Sequence, residues 1–239
     1  MRKAAILAIS ALALAAGGCT RERPDDGPRA QRSYQVGAFQ TVSLGGGHEV
    51  IVQVGGAPSV RAEGSERTIE RLEIVVENGA LQIRDRGNSW FGHHGAATIH
   101  VTVPSLAGAN VGGSGEIRID RVAGERFAAA IGGSGEISVQ DLRVRQANFS
   151  VGGSGDIKAA GSAERAEISV AGSGDVDLAA FEIRDARISV AGSGDVSARA
   201  TGTAQVSLAG SGDVAVTGPA RCQVDKFGRG NVTCNGQPA

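Results

Sequence analysis

The sequence predicts an all-β protein: a parallel β-solenoid of about six to seven coils, each 18 to 20 residues long, with an N-terminal β portion. Three observations lead there. A glycine turn recurs as VGGSGEIRI at 111, IGGSGEISV at 131, VGGSGDIKA at 151, VAGSGDVDL at 170, VAGSGDVSA at 190 and LAGSGDVAV at 208, with a worn copy, KFGRGNVTC, at 226. Apolar residues flank each turn at alternate positions, such as Ile168 and Val170 before, and Val176 and Leu178 after. The 239 residues include 37 Gly but only six Phe, Trp90 and Tyr34 as aromatics, so the core must be thin and built from small side chains. One such unit cannot bury its apolar side alone, whereas stacked units bury a continuous column. At about 3.3 Å per residue, roughly 20 residues wind a coil of about 60 Å circumference, and coils stack about 4.8 Å apart.

Residues 1–18, MRKAAILAISALALAAGG, place Arg2 and Lys3 before an apolar run ending in small residues, the pattern of a secretory signal peptide. The run is too short to remain as a membrane span. Cys19 follows, and LALAAGGC resembles a bacterial lipobox, although Ala16 stands where Leu is typical; ordinary cleavage near Ala15 or Ala16 is the alternative. With three cysteines in an oxidising compartment, Cys222 and Cys234 can pair and leave Cys19 for acylation. The expected location is the bacterial cell envelope, lipid-anchored at the outer membrane or cell surface, or secreted or periplasmic without the lipid. Residues 19–32 are polar and Pro-containing, a tether between membrane and domain. The formal charge is −1, which gives no reason to expect nucleic acid as a partner.

Residues 33–108 form the N-terminal β portion. FQTVSL and HEVIVQV alternate apolar and polar residues around the glycines at 45–47, which predicts two short strands joined by a tight turn. SERTIERL suits one or two helical turns with Ser65 as N-cap, and EIVVENGALQIRD a hairpin around Asn78-Gly79. NSWFGHHGAA reads as a loop and TIHVTV as a strand. The repeats of 109–239 then read as strand, turn, strand and a third piece such as DLRVRQ or FEIRDA, and 33–239 form one continuous domain.

Within the turn, glycines permit corners where stacked backbones approach closely. Ser114, Ser134, Ser154, Ser173, Ser193 and Ser211 then form a column able to hydrogen-bond along the stack. Glu116, Glu136, Asp156, Asp175, Asp195 and Asp213 form a second column, whose like charges repel by about 0.9 kcal/mol per pair even in water. Solvent, turn N–H groups or bound cations must relieve this. The turn differs from the calcium-binding nonapeptide G-G-x-G-x-D-x-U-x in its period and in the Ile or Val at the sixth position, so no metal site is assigned. No catalytic residue is assigned either: six equivalent serines look architectural, no histidine follows His100, and the G-x-S-x-G elbow is absent. His93 and His94 lack partners in a metal-ligand pattern, and no cofactor is expected. Trp90 and Phe91 are a candidate contact patch, or equally a hydrophobic lid on the first coil. A Cys222–Cys234 disulfide would staple the last coil, worth roughly 3 kcal/mol.

FQTVSLGGGHEVIVQVG, the helical turn before LEIVVENGALQI, HVTVPSLAGANVGGSGEI and the serial GSGD turns together resemble the putative auto-transporter adhesin head GIN domain family, over about residues 36 to 218. The resemblance implies a β-solenoid-like stack on a secreted or lipid-anchored protein and carries over no catalytic residue. The expectation is a non-enzymatic envelope lipoprotein whose repetitive surface serves contact, adhesion or scaffolding with an unknown envelope or surface partner. A cation-dependent binding module and a carbohydrate-active β-helix enzyme are the alternatives, and the oligomeric state stays open.

Overall fold

The computed structural model describes residues 27–86 and 95–238, and within them it is a parallel β-solenoid of about six turns. Strands β1 (Arg29–Tyr34), β2 (Thr41–Leu44), β3 (Glu49–Val54) and β4 (Ser59–Ser65) precede helix α1 (Glu66–Arg71). Then come β5 (Leu72–Glu77), β6 (Ala80–Asp85), β7 (Thr98–Val103) and β8 (Gly108–Val111). The long strands β9 (Glu116–Ile131), β10 (Glu136–Val151), β11 (Asp156–Gly172), β12 (Val176–Gly192) and β13 (Val196–Gly210) each run from one glycine corner to the next. Short strands β14 (Val214–Thr217), β15 (Arg221–Gly228), β16 (Val232–Cys234) and β17 (Gln237–Pro238) close the stack. Among the described residues no helix is long and apolar enough to cross a membrane.

The inward side chains of β10 show how one strand makes most of a coil. Ile137 and Val139, then Leu142 and Val144, then Ala147, Phe149 and Val151 are buried. Alternation has period two along a wall, so each skip of three marks a bend, and the coil has three walls. The register with β11 shifts at the first bend, between Val139 and Leu142. Three phenylalanines each have a small residue beside them in an adjoining coil: Phe127 lies beside Ala147, Phe149 beside Ala129, and Phe181 beside Gly161. The rings of Phe149 and Phe181 meet edge to face, with centroids 5.8 Å apart.

The N-terminal β portion is itself part of the solenoid. β2 and β3 do not pair with each other; β2 lies between β6 and β8, and β3 between β7 and β9, all parallel. Leu44 stands beside Val111 and Glu49 beside Glu116, so LGGGHE is a coil corner in the register of VGGSGE. The first coil in the chain is therefore sandwiched between two coils made later. Outside it, β5 lies antiparallel on β6, β4 on β7, and β1 on β4, which covers the N-terminal end of the parallel stack. β1 begins at Arg29, inside the segment expected to be tether, because RAQRSY pairs along β4 as a polar edge strand. The Asn78-Gly79 hairpin is present, with both residues at positive φ (51° and 75°), as a type I′ turn requires. Ser65 Oγ accepts from the Thr68 N–H at 3.2 Å and caps α1.

At the other end, Cys222 and Cys234 are disulfide-bonded across the last coil, their Cα atoms 6.5 Å apart. Lys226 follows Val170, Val190 and Leu208 in register but is exposed at the open end of the stack, and a charge there on an edge strand discourages another chain from extending it. Reducing the disulfide is expected to cost about 3 kcal/mol, concentrated in the last coil. Hydrogen exchange should show β15 and β16 losing protection while β10 keeps it. Equal loss throughout would contradict a local staple.

Candidate functional site

The corner is built from backbones that almost touch. A Cβ on Gly113 would lie 2.5 Å from the Gly46 carbonyl oxygen, and one on Gly133, Gly153, Gly172, Gly192 or Gly210 would strike the glycine carbonyl of the preceding corner. The glycine after each serine meets the same obstacle: on Gly135 a Cβ would strike the Gly115 carbonyl and the Val111 side chain. The first position of the motif is different. A Cβ on Gly132 would meet nothing within 4 Å, which explains why this position becomes Ala171, Ala191 and Ala209 in later coils.

The serines contribute their backbones. The N–H groups of Ser114, Ser134, Ser154, Ser173, Ser193 and Ser211 donate to glycine carbonyls one coil away at 2.8 to 3.1 Å. Their side chains are exposed and form no hydroxyl ladder, because each rung's backbone already makes the contact between coils.

The acids divide into two kinds. Arg118 donates to both Glu116 and Glu49, and Lys158 Nζ lies 2.9 Å from Glu136 Oε1. The aspartates make a ladder instead. Asp175 N donates to Asp156 Oδ1 at 3.2 Å, Asp195 N to Asp175 Oδ1 at 3.0 Å, Asp213 N to Asp195 Oδ1 at 2.7 Å, and Asn231 N to Asp213 Oδ1 at 2.8 Å. The shorter acid is required here, since its carboxylate must reach the N–H of the next rung. Turn N–H groups thus relieve the repulsion in the column. Among the described residues no group of three or more His, Cys, Asp or Glu side chains is arranged to hold a metal ion. Asp195→Asn keeps an acceptor for the Asp213 N–H and removes a charge, so stability should hold or rise slightly; Asp195→Ala strands that N–H and should cost about 1 kcal/mol. Chemical denaturation of both variants checks this, and a larger loss for Asn than for Ala would refute the ladder.

His48 takes the place of Gly115 in the first corner and is 4% exposed. Its Nδ1 accepts from the Ala97 N–H at 3.2 Å, so the ring proton sits on Nε2, 3.2 Å from Asp85 Oδ1. With its basic lone pair occupied by backbone, the imidazole joins the first corner to the neighbouring coil and has no free nitrogen to act as a base. The contact between the first corner and the outer coil thus runs partly through a side chain. Sequence reasoning missed this role; the shared G-G-x-x-E pattern of LGGGHE and VGGSGE was the signal available.

Trp90, Phe91, His93 and His94 lie outside the described residues, as does Cys19. The described walls carry one feature absent from the sequence reading, a shallow polar groove of about 470 Å³ crossing β10 to β13. Gln146, Arg165, Asp185 and Thr203 form one row along it, and Asn148, Glu167, Arg187 and Gln205 the next. Arg187 Nε and Nη2 donate to Gln205 Oε1 at 3.2 and 3.0 Å, and Thr203 Oγ1 donates to Asp185 Oδ1 at 2.8 Å. The Thr203 hydroxyl, followed by Arg184, holds the Asp185 carboxyl below the usual carboxylate range. A depressed value means that this interaction is present at neutral pH and is lost as pH falls through the folded-state value. Thr203→Val should therefore raise the Asp185 midpoint in a carboxyl-detected NMR titration; an unchanged midpoint would exclude the hydroxyl as the main cause.

The family model described as "putative auto-transporter adhesin, head GIN domain" matches residues 38–220. The chain belongs to this family. Among solved structures, a "putative adhesin" from Bacteroides fragilis superposes with a TM-score of 0.78 at 19% identity, covering 86% of this chain and 96% of that one. A "putative lipid binding protein" from Parabacteroides distasonis gives 0.71 at 22% identity, with 86% and 96% covered. A "putative adhesin" from Parabacteroides merdae gives 0.64 at 16% identity, with 86% and 95% covered. At these identities the likeness establishes a shared fold. No curated protein matches the sequence.

Proposed function

We propose that this head GIN family member is a non-enzymatic lipoprotein of the bacterial envelope, anchored through Cys19, whose solenoid makes adhesive or scaffolding contacts. The observation that carries the reading is how the corner is used. Its glycines, serine N–H groups and aspartates are committed to stacking one coil on the next, leaving the outward side chains of the walls for contact. The match to a family described as adhesin heads supports the same reading. Trp90 and Phe91 belong to this proposal as a second contact element.

Metabolic labelling with a palmitate analogue tests the anchor: Cys19→Ala should lose the label, and full labelling of the variant would refute it. For the contact role, the full chain should recover partners from envelope extracts or attach to surfaces that cells lacking it do not bind. Failure of both assays would remove the adhesive reading. If Trp90→Ala/Phe91→Ala recovers the same partners as wild type, the two aromatics are excluded from the contact.

A further inference from the structure

We propose that the groove across β10 to β13 is a binding site for a neutral, hydroxyl-rich chain, an oligosaccharide lying along the stack. This names the ligand class of the contact surface proposed above and rests on that reading. The first argument is where the repeat breaks. In the column Ser150, Ser169, Ser189 and Ser207 the wall is uniform, yet the adjacent outward positions change from coil to coil: Asn148, Glu167, Arg187, Gln205. Stacking does not ask for that variation, because these side chains point away from the core and the ladder is made by backbone. Chemical variety between equivalent rungs gives a wall that can distinguish one end of a ligand from the other.

The second argument is the kind of chemistry assembled. Arg165 and Arg187 are balanced by Glu167 and Asp185, so the groove offers no net field to a polyanion or a cation. It offers amides, a hydroxyl, guanidinium donors and carboxylate acceptors side by side, which suits a ligand whose every group both donates and accepts. Some heads are already held, by Arg187 to Gln205 and Thr203 to Asp185. Arg165 and Glu167 stand beside Asp185 and Arg187, and the Arg165 charge acts on Asp185, but neither is held by a side-chain hydrogen bond, so both can turn to a ligand. A protein partner would want an apolar anchor, and the wall has none. Among the described residues the one large exposed hydrophobic is Phe227, 76% exposed on β15 beyond the groove.

The dimensions agree. Four adjacent coils span about 14 Å along the stack, room for about three pyranose rings. Without an aromatic platform each contact is a hydrogen bond, so single-site affinity is weak and useful binding depends on several anchored copies engaging one polymer.

The test uses the full chain in lipid nanodiscs and titrates it with chitohexaose, which carries the linkage and sugar type of a cell-wall glycan, and maltohexaose, an α-linked glucan standing for exogenous polysaccharide. A sulfated hexasaccharide is the charged control. We expect at least one neutral hexasaccharide to bind, and Arg165→Ala/Glu167→Ala to weaken it about tenfold or more. The pair Asp141→Ala/Arg143→Ala, outside the groove, should leave binding unchanged. Preference between the two neutral sugars distinguishes the sources. No binding of either neutral sugar below about 10 mM, binding of the sulfated sugar alone, or equal binding by wild type and the groove variant would overturn the proposal. If the groove variant still recovers envelope partners in full while no sugar binds, the ligand class fails and the wider contact reading stands.

Discussion

Alanine at Gly133 should destabilise the protein by about 3 kcal/mol or more, whereas alanine one residue earlier, at Gly132, should leave it unchanged or stabilise it by about 0.5 kcal/mol. The two residues are adjacent and share a corner. At 133 the new methyl would occupy the space of the Gly113 carbonyl oxygen, which accepts the Ser134 N–H at 3.0 Å. Relief requires the two coils to separate, and separation lengthens several backbone hydrogen bonds together. At 132 the methyl enters open space and merely reduces the freedom of the unfolded chain. Thermal denaturation of the two variants decides the matter. Similar midpoints would mean that the coils do not approach as closely at the corner as described.

Phe149→Ala is the second large effect, at about 3 to 5 kcal/mol. Phe149 is fully buried, lies beside Ala129 of one neighbouring coil, and meets the Phe181 ring across the core. The surrounding backbone is fixed by ladders on both sides, so the walls cannot collapse into the space. In a stack where each unit touches only its neighbours, a lesion in the middle also weakens the coupling between the two ends. The variant should therefore unfold over a broader transition than wild type, and calorimetry should resolve it. A small, sharp, uniform shift in melting temperature would contradict that picture of nearest-neighbour stability.

The repeated corners were legible because they are nearly identical in spelling, which predicts the stack; the scarcity of aromatics predicts the small-residue core, and the placing of Cys222 and Cys234 about the last turn predicts the staple. The coil at 41–54 was not, since Gly47 and His48 replace the Ser-Gly pair and its neighbours in space come from 80–85, 98–103 and 108–119. No local pattern announces that β2 and β3 will be sandwiched between later strands. The acid column was visible, but the reason for its change from Glu to Asp was not: it depends on which carboxylate reaches a backbone N–H one coil away. The groove was invisible for a similar reason. Arg165 and Glu167 meet Asp185 and Arg187 through register, after one full coil of chain has intervened.

The sandwiched first coil also gives assembly a direction in time. β2 and β3 precede all of their partners and have nothing to pair with until β6, β7, β8 and β9 exist, so closing the N-terminal end requires contacts spanning tens of residues and is expected to be the slow step. Every later coil closes a loop of only about 20 residues onto a finished template, and each such step is quick. A chain threading outward from its N-terminus would thus complete its hardest closure early and then wind shut behind the point of exit.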